Sequence, residues 1–490
     1  MASVEKERSV LVLFGNIINE VVSFFVFCLL DLLDAVLCYV FKVADFVIEA
    51  EWRPCYCSSS AKGRIKDVAG DGGGGGQIVV SERGECKVVR LSSGKLMMEE
   101  VSDTLYSRPS LVSEVSRSTV KRLKVMNRPT ATAVSSSYRK SKAWRPTRPT
   151  LFTVNSDILE MLQENISVGR PVPRWSDCAC SHCTSWTSRG TNMLFVRAAG
   201  VKDDNKAPED VLFIHGFISS SQFWSGTLFP NFSESAKATY RFLAIDLLGF
   251  GRSPKPRDSL YTLKEHLEMI EKSVLEPNKV KSFHIVAHSL GCILALALAV
   301  KHPESVRSLT LLAPPYYEVP KGAQAPQYVM RKLAPRKVWP PMAFGGSLLC
   351  WYEHITRTIC LVICKNHRLW ESLAKLITRN RIREFMFDEF LCHTHSAAWH
   401  TLHNVICGAA AKLNSYLDAV NARLKCRVTI FHGKDDEIIP VECSYNVQRR
   451  IRRASLKVIE NKDHITIVVG RQKAFARELE EIWRRSTNNE

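Results

Sequence analysis

The chain has 490 residues, 46% of them hydrophobic and 9% aromatic. That composition excludes a wholly disordered polypeptide and leaves room for a catalytic domain of about 250 to 300 residues plus further segments. The formal net charge of +18 would suit an anionic partner, but eleven Lys and Arg between Leu105 and Thr150, against the single acid Glu114, supply +10 of it. That stretch is rich in Ser, Thr and Pro, lacks apolar periodicity and carries no recognition motif. It reads as a solvated arm, and nucleic acid is not an expected partner.

From Ser9 to Phe41 nearly every residue is apolar, yet Glu20, Asp31 and Asp34 interrupt the run. Advancing 100° per residue, Glu20, Asp31, Asp34, Lys42, Asp45 and Glu49 fall within about 40° of one line on a helix. A simple membrane span would suffer from these carboxylates, since a central Asp is unfavourable by about 2.5 to 3.5 kcal/mol. A helix lying in the membrane plane, or a span whose polar stripe faces a partner, accommodates them. Residues 1–50 are therefore expected to be a membrane anchor or signal segment. Lys6 and Arg8 ahead of the apolar run also fit a secretory signal, an unusually long one without a small-residue cleavage site. A helix packed on the catalytic domain is the remaining alternative.

Residues 51–150 contain five consecutive glycines, Gly72 to Gly76, and then the basic arm, so they are expected to be a disordered linker with at most one hairpin near Val79 to Leu91. The sixteen cysteines and the tripeptides Asn165-Ile166-Ser167 and Asn231-Phe232-Ser233 permit an oxidising compartment without requiring one. Folded sequence resumes near Leu151. Cys178, Cys180, His182 and Cys183 bear zinc-ligand side chains, but two ligands one residue apart are awkward for a tetrahedral site, and no second pair follows. Disulfides or free thiols are expected there, with no metal and no cofactor assigned.

From Thr191 short apolar runs alternate with helical stretches, the pattern of a parallel sheet with crossover helices. Seven strands are predicted: Asn192 to Ala198, Val211 to Ile214, Arg241 to Ile245, Ser282 to Ala287, Val306 to Leu312, Val428 to Phe431 and Leu456 to Ile459. The fold class is thus α/β, a mostly parallel, doubly wound sheet. Between Tyr316 and Leu424 the alternation gives way to helix-like sequence rich in Trp, Phe, Leu and Cys. A helical lid is expected at 316–424, between the fifth and sixth predicted core strands, dividing the core into 151–315 and 425–490.

The chemistry is expected at the strand ends. Ala287-His288-Ser289-Leu290-Gly291 links a strand to an apolar helix, the context of a nucleophile elbow, with Ala287 where the first Gly of G-x-S-x-G would stand. His215-Gly216-Phe217 ends the second strand. The backbone N–H groups of Phe217 and Leu290 are placed to receive a developing oxyanion. A serine hydroxyl needs a base, and an imidazole serves best when a carboxylate holds its other nitrogen. Asp435-Asp436 and Asp463-His464 follow the last two strands, giving the chain order Ser, Asp, His. His288 is expected to point away from the site and to be structural. Of the histidines in the lid sequence, His393, His395, His400 and His403, the spacing of His400 and His403 favours packing or capping over a metal.

From Thr191 to Trp483 the sequence resembles α/β-hydrolase-fold proteins, through the His-Gly strand end, the Asp246-Leu247-Leu248-Gly249-Phe250-Gly251-Arg252-Ser253 turn, the elbow, the Gly433-x-x-Asp436-x-x-x-Pro440 loop and the Asp-His ending. That match assigns the acid to Asp436, with Asp435 as the alternative. With the apolar N-terminus, the cysteine cluster and the Cys- and Trp-rich lid, the whole chain most resembles the plant BODYGUARD proteins. The resemblance implies a serine esterase or lysophospholipase acting on lysophospholipids or cutin precursors at the outer cell surface, in cuticle formation. An aromatic lid with Trp351, Trp370, Phe385, Phe387, Phe390 and Trp399 would bury an acyl chain at about 0.8 kcal/mol per methylene. Acyl transfer by the same triad, or a non-catalytic receptor on the same fold, are the competing expectations. Epoxide hydrolase and dehalogenase chemistry is disfavoured, because it uses Asp where this chain has Ser289. The sequence leaves the oligomeric state open.

Overall fold

The structure is a computed structural model that describes residues 2–49, 77–82, 85–90, 101–106, 174–187, 192–200, 209–257, 259–378 and 390–487. Most of the expected linker, the Asn165 tripeptide, the His182 side chain, Phe385 and Phe387 lie outside the described residues. The expected hairpin is present as β1 (Gln77–Glu82) and β2 (Glu85–Arg90), paired antiparallel.

Seven further strands form one sheet: β3 (Val196–Gly200), β4 (Glu209–Ile214), β5 (Tyr240–Ile245), β6 (Phe283–His288), β7 (Val306–Leu312), β8 (Arg427–Gly433) and β9 (Ser455–Ile459). Their order is β3-β5-β4-β6-β7-β8-β9, with β3 antiparallel to β5 and every other pairing parallel. The inner strands read as unbroken apolar runs because both faces are covered, and every residue of β6 is buried. The edge strand β9 is half-exposed and alternates accordingly. The first strand is displaced from the sequence expectation: Asn192 to Phe195 lie before β3, where Phe195 still accepts a backbone hydrogen bond from Asp246 at 2.9 Å.

On one side of the sheet an aromatic layer forms the core. Phe213 packs against Trp224 and Phe229, Phe232 stacks on Phe242 with centroids 4.5 Å apart, and Trp483 of the C-terminal helix Gln472–Thr487 closes on Tyr240 at 5.0 Å. Each such buried ring is worth about 1.5 to 3 kcal/mol of transfer free energy. The helix Leu290–Lys301 is apolar and buried on almost every side, as its sequence requires. Chain order reverses direction across the sheet between β4 and β6, and that switch point is where ligand crevices open in sheets of this kind.

Between β7 and β8 the chain leaves the sheet and forms helices at Ala325–Leu333, Pro341–Trp351, Glu353–Ile363, His367–Thr378, His395–Thr401 and Leu413–Arg423. Of the aromatic residues expected to line an acyl site there, the four that are described do not act together. Trp351 and Trp399 are buried in packing, Trp351 donating to the Ala334 carbonyl at 2.8 Å and Trp399 lying 4.4 Å from the His403 ring, whereas Trp370 and Phe390 are exposed. His400 and His403 serve packing too, with the His400 Nδ1–H donating to the Ser396 carbonyl at 2.8 Å and His403 paired with Thr104 at 2.9 Å.

The N-terminal helix, Ala2–Glu49, packs against this insertion along one stripe. Ser23, Phe27, Asp34, Cys38, Phe41 and Asp45 are buried, a line about 60° wide on the helix, which overlaps the expected stripe at Asp34 and Asp45 and leaves Glu20 exposed. Asp34 Oδ1 accepts the backbone N–H groups of His354 and Ile355 at 2.9 and 3.1 Å, capping the helix Glu353–Ile363 from another segment. Asp45 takes both arms of Arg357 at 2.7 Å and the indole N–H of Trp175 at 2.7 Å. Glu49 pairs with Arg257 at 2.9 Å. The other faces expose Phe14, Ile17, Val21, Phe25, Leu29, Leu32, Val36 and Val40.

Candidate active site

Ser289 sits between β6 and the helix Leu290–Lys301 at φ 52°, ψ −120°, a region that side-chain-bearing residues rarely occupy and that costs about 1 to 3 kcal/mol. The surroundings hold it there. Its N–H donates to the Leu312 carbonyl at 2.8 Å on β7, and Cys292 N–H returns to the Ser289 carbonyl at 2.9 Å. Gly291 fits because any Cβ there would stand 2.7 Å from the carbonyl oxygens of Ile214 and His215. Gly216 lies against Ser289 itself, where a Cβ would come within 3.2 Å of the Ser289 Cβ. The ends of β4 and β6 are thus pressed together at the switch point, and Ala287 in place of the usual first Gly does not prevent the elbow.

Two backbone donors beside the hydroxyl are left over. The N–H of Leu290, the first of its helix, and that of Phe217 find no protein acceptor among the described residues. His215 steadies this end of β4: its Nε2 accepts the Leu247 N–H at 2.9 Å while Nδ1–H donates to the Gly216 carbonyl at 2.7 Å, and burial depresses its basicity.

The expected base and acid meet. His464 Nδ1–H donates to Asp436 Oδ2 at 2.7 Å. Asp436 Oδ1 accepts the N–H groups of Ile438 and Ile439 at 2.9 and 2.8 Å, and His432 Nε2 lies 3.4 Å from Oδ2. Burial alone would raise the Asp436 carboxyl, but the hydrogen bonds from His432 and His464 outweigh it and hold the group far below the usual carboxylate range. Asp435, the alternative acid, is exposed, and only its backbone is bonded nearby, to the Lys462 carbonyl at 2.9 Å.

His288, read from the sequence as structural, ties the loop that carries His464 to β6. Its Nε2–H donates to the His464 carbonyl at 2.9 Å, its ring lies 4.6 Å from that of His464, and its other face stacks on Phe223 at 5.2 Å. Burial pushes it down to about 3, so it stays neutral and acts as a positioning residue for the loop that carries His464. Among the hydrogen bonds of the described residues none joins the Ser289 hydroxyl to the His464 imidazole. In unliganded sites such bonds are often long and tighten only with substrate. Ser289, Asp436 and His464 are all buried, at 8%, 8% and 7% exposed. Sequence reasoning did not single out Tyr317, whose buried hydroxyl finds no hydrogen-bond partner among the described residues and is pushed well above its ordinary value by burial first, then by Cys443 and Asp436.

A strained serine at the β6 elbow with a His–Asp pair from the loops after β8 and β9 defines an α/β hydrolase, and the alpha/beta hydrolase fold family model matches residues 211–342. More distantly, the chain is 25% identical over 276 residues, 55% of this chain and 86% of the relative, to a 2-hydroxymuconate semialdehyde hydrolase of Pseudomonas sp. (strain CF600). Within that class the chain belongs to the BODYGUARD family. It is 56% identical over 476 residues, 97% of this chain and 98% of the relative, to the probable lysophospholipase BODYGUARD 1 of Arabidopsis thaliana. It is 55% identical over 493 residues, 96% of this chain and 97% of the relative, to the probable lysophospholipase BODYGUARD 3 of the same plant.

Proposed function

We propose that the chain is a serine esterase that hydrolyses long-chain acyl esters, a lysophospholipid first among them, at a membrane surface. The observation that carries this reading is the buried His464–Asp436 pair, which fixes the imidazole with its proton on Nδ1 and leaves Nε2 as the acceptor for the Ser289 proton. In the first step Ser289 Oγ attacks the ester carbonyl while His464 takes the hydroxyl proton. The negative charge on the carbonyl oxygen falls to the N–H groups of Phe217 and Leu290. Collapse of the adduct breaks the ester C–O bond, His464 protonates the departing alcohol, and an acyl-Ser289 ester remains. Water, deprotonated by His464, then releases the carboxylic acid and restores the serine.

The substrate class is supported by the names of the relatives and by the N-terminal helix, which is long and apolar enough to cross a membrane. Its docked stripe favours a different placement. Contacts from Asn19 to Glu49 run about 45 Å along the helix, longer than the roughly 30 Å hydrocarbon core, and a spanning helix would carry Arg357 and its partners into lipid. An in-plane anchor keeps the carboxylates on the protein and the apolar faces in the bilayer. The cuticle role implied by the family resemblance adds a hydroxy-fatty acyl ester at the outer cell surface or wall as a second substrate.

The test uses the full chain in vesicles. A fluorophosphonate probe labels the wild type and not Ser289→Ala, and lysophosphatidylcholine is turned over to free fatty acid. Hydroxy-fatty acyl ester is offered in parallel. A wild type that is not labelled and turns over neither ester sinks the enzymatic reading.

A further inference from the structure

Three cysteines set aside at the sequence level acquire a fourth partner in the fold. Cys178, Cys180 and Cys183 lie just before and within the first turn of the helix Ser181–Thr187, and His367 opens the insertion helix His367–Thr378. The His367 Nδ1 stands 3.3 Å from Cys178 Sγ, 3.9 Å from Cys180 Sγ and 3.9 Å from Cys183 Sγ. All four ligand atoms lie within 4.8 Å of one another.

We propose that Cys178, Cys180, Cys183 and His367 form a structural zinc site that staples the 174–187 segment to the helical insertion. With Zn–S near 2.3 Å and Zn–N near 2.0 to 2.1 Å, the S···N edge of a tetrahedron is about 3.6 Å, inside the 3.3 to 3.9 Å range observed. A set of three thiolates and one imidazole is a standard zinc donor set and unsuited to calcium or magnesium. A disulfide explains the cluster less well. It would consume two of the three sulfurs and bring them to about 2.05 Å, whereas all three are free thiols here. The Cys183 N–H also points at Cys180 Sγ at 3.4 Å, a donor placed to support a thiolate ligand.

Loading is balanced by proton release: three thiols and a neutral imidazole take one Zn²⁺ and give up three protons. The staple would fix more than two helices. Trp175, three residues before Cys178, donates its indole N–H to Asp45 and its backbone N–H to Glu49, so the same short segment holds the N-terminal helix. Sequence spacing could not show this site, because His367 lies 184 residues beyond Cys183.

The test counts metal in the full-length protein purified without chelators. Wild type is expected to hold one zinc equivalent more than His367→Ala and than Cys183→Ser. The difference is the readout because a neighbouring trio, Cys360, Cys364 and His393, also converges and would add its own metal equally to each protein. Should those variants fail to fold, His367→Cys is expected to keep the equivalent. Its cobalt(II)-substituted form should then show tetrahedral visible bands shifted from those of the wild type by the exchange of nitrogen for sulfur. Equal zinc in wild type and His367→Ala overturns the site, as do identical cobalt spectra for wild type and His367→Cys, or a non-reduced peptide map showing a disulfide among Cys178, Cys180 and Cys183. None of these readouts depends on ester turnover.

Discussion

Replacing Asp436 by Asn tests the catalytic reading at its centre, because the structure dictates which way the amide must face. Asp436 Oδ1 accepts two backbone N–H groups, from Ile438 and Ile439, so the Asn oxygen is held there. Turning the amide over would set its NH₂ against both donors, at about 1 to 3 kcal/mol for each buried group left unsatisfied. The amide nitrogen therefore faces His464 Nδ1 and donates to it, which drives the imidazole proton onto Nε2, the atom that must accept the Ser289 proton. The corresponding change in a Ser-His-Asp protease lowers kcat about 10⁴-fold, or roughly 5.5 kcal/mol of transition-state stabilisation. The same fall is expected here in both fluorophosphonate labelling rate and ester turnover, with thermal unfolding close to wild type. Asp435→Asn, whose side chain is exposed, should stay within about twofold of wild type. An Asp436→Asn protein that is folded and labels within tenfold of the wild-type rate would refute the triad.

Three further outcomes are expected. Arg357→Met leaves the buried Asp45 carboxylate without its guanidinium, which should cost about 3 to 5 kcal/mol, and differential scanning calorimetry should show a transition lowered by about 6 °C or more; an unchanged transition would mean the N-terminal helix is not held by this pair. His354 is raised to about 9 because, although burial opposes its charge, the hydrogen bond to Asp34 together with Cys38 and Glu353 favours it. A raised folded value means this contribution is complete below pH ~6.5 and is lost as pH climbs through about 9, so proteolytic release of the N-terminal helix should accelerate between those limits, and a rate that is flat there, or that Asp34→Asn leaves unaltered, argues against the linkage. His288→Leu removes the donor to the His464 carbonyl, and steady-state kinetics should report a lower kcat with KM little changed, whereas an undiminished kcat would return His288 to a purely packing role.

What could be read from the sequence was what depends on neighbours in the chain. β7 begins and ends where its apolar run does, and the elbow is visible because strand, small residue and apolar helix adjoin within ten residues. The order Ser, Asp, His followed from strand ends alone. Asp436 over Asp435 needed the Gly433 and Pro440 spacing, and the fold supplies the physical reason: Asp436 is buried under the N–H groups of Ile438 and Ile439, whereas Asp435 faces solvent. His288 reads as structural from the sequence, but alternation along β6 says only that its side chain points away from Ser289, not what comes to meet it. The His464 loop arrives from 176 residues further on.

The N-terminal helix shows the same limit from the other side. Its carboxylates fall on one line, and periodicity alone requires that line to face something polar. Nothing local names the partner, which turns out to be the start of the helix Glu353–Ile363 for Asp34 and the Arg357 guanidinium for Asp45. The pairing is what the proposed in-plane placement rests on, because a span would carry it into lipid. A helix held through Asp34, Asp45 and Glu49 cannot present those groups to lipid, so what remains outside is almost wholly apolar, a surface that water does not suit. The polar stripe that argued against a membrane span is therefore the feature that makes an in-plane anchor workable, since it commits one face to the protein and frees the rest for the bilayer.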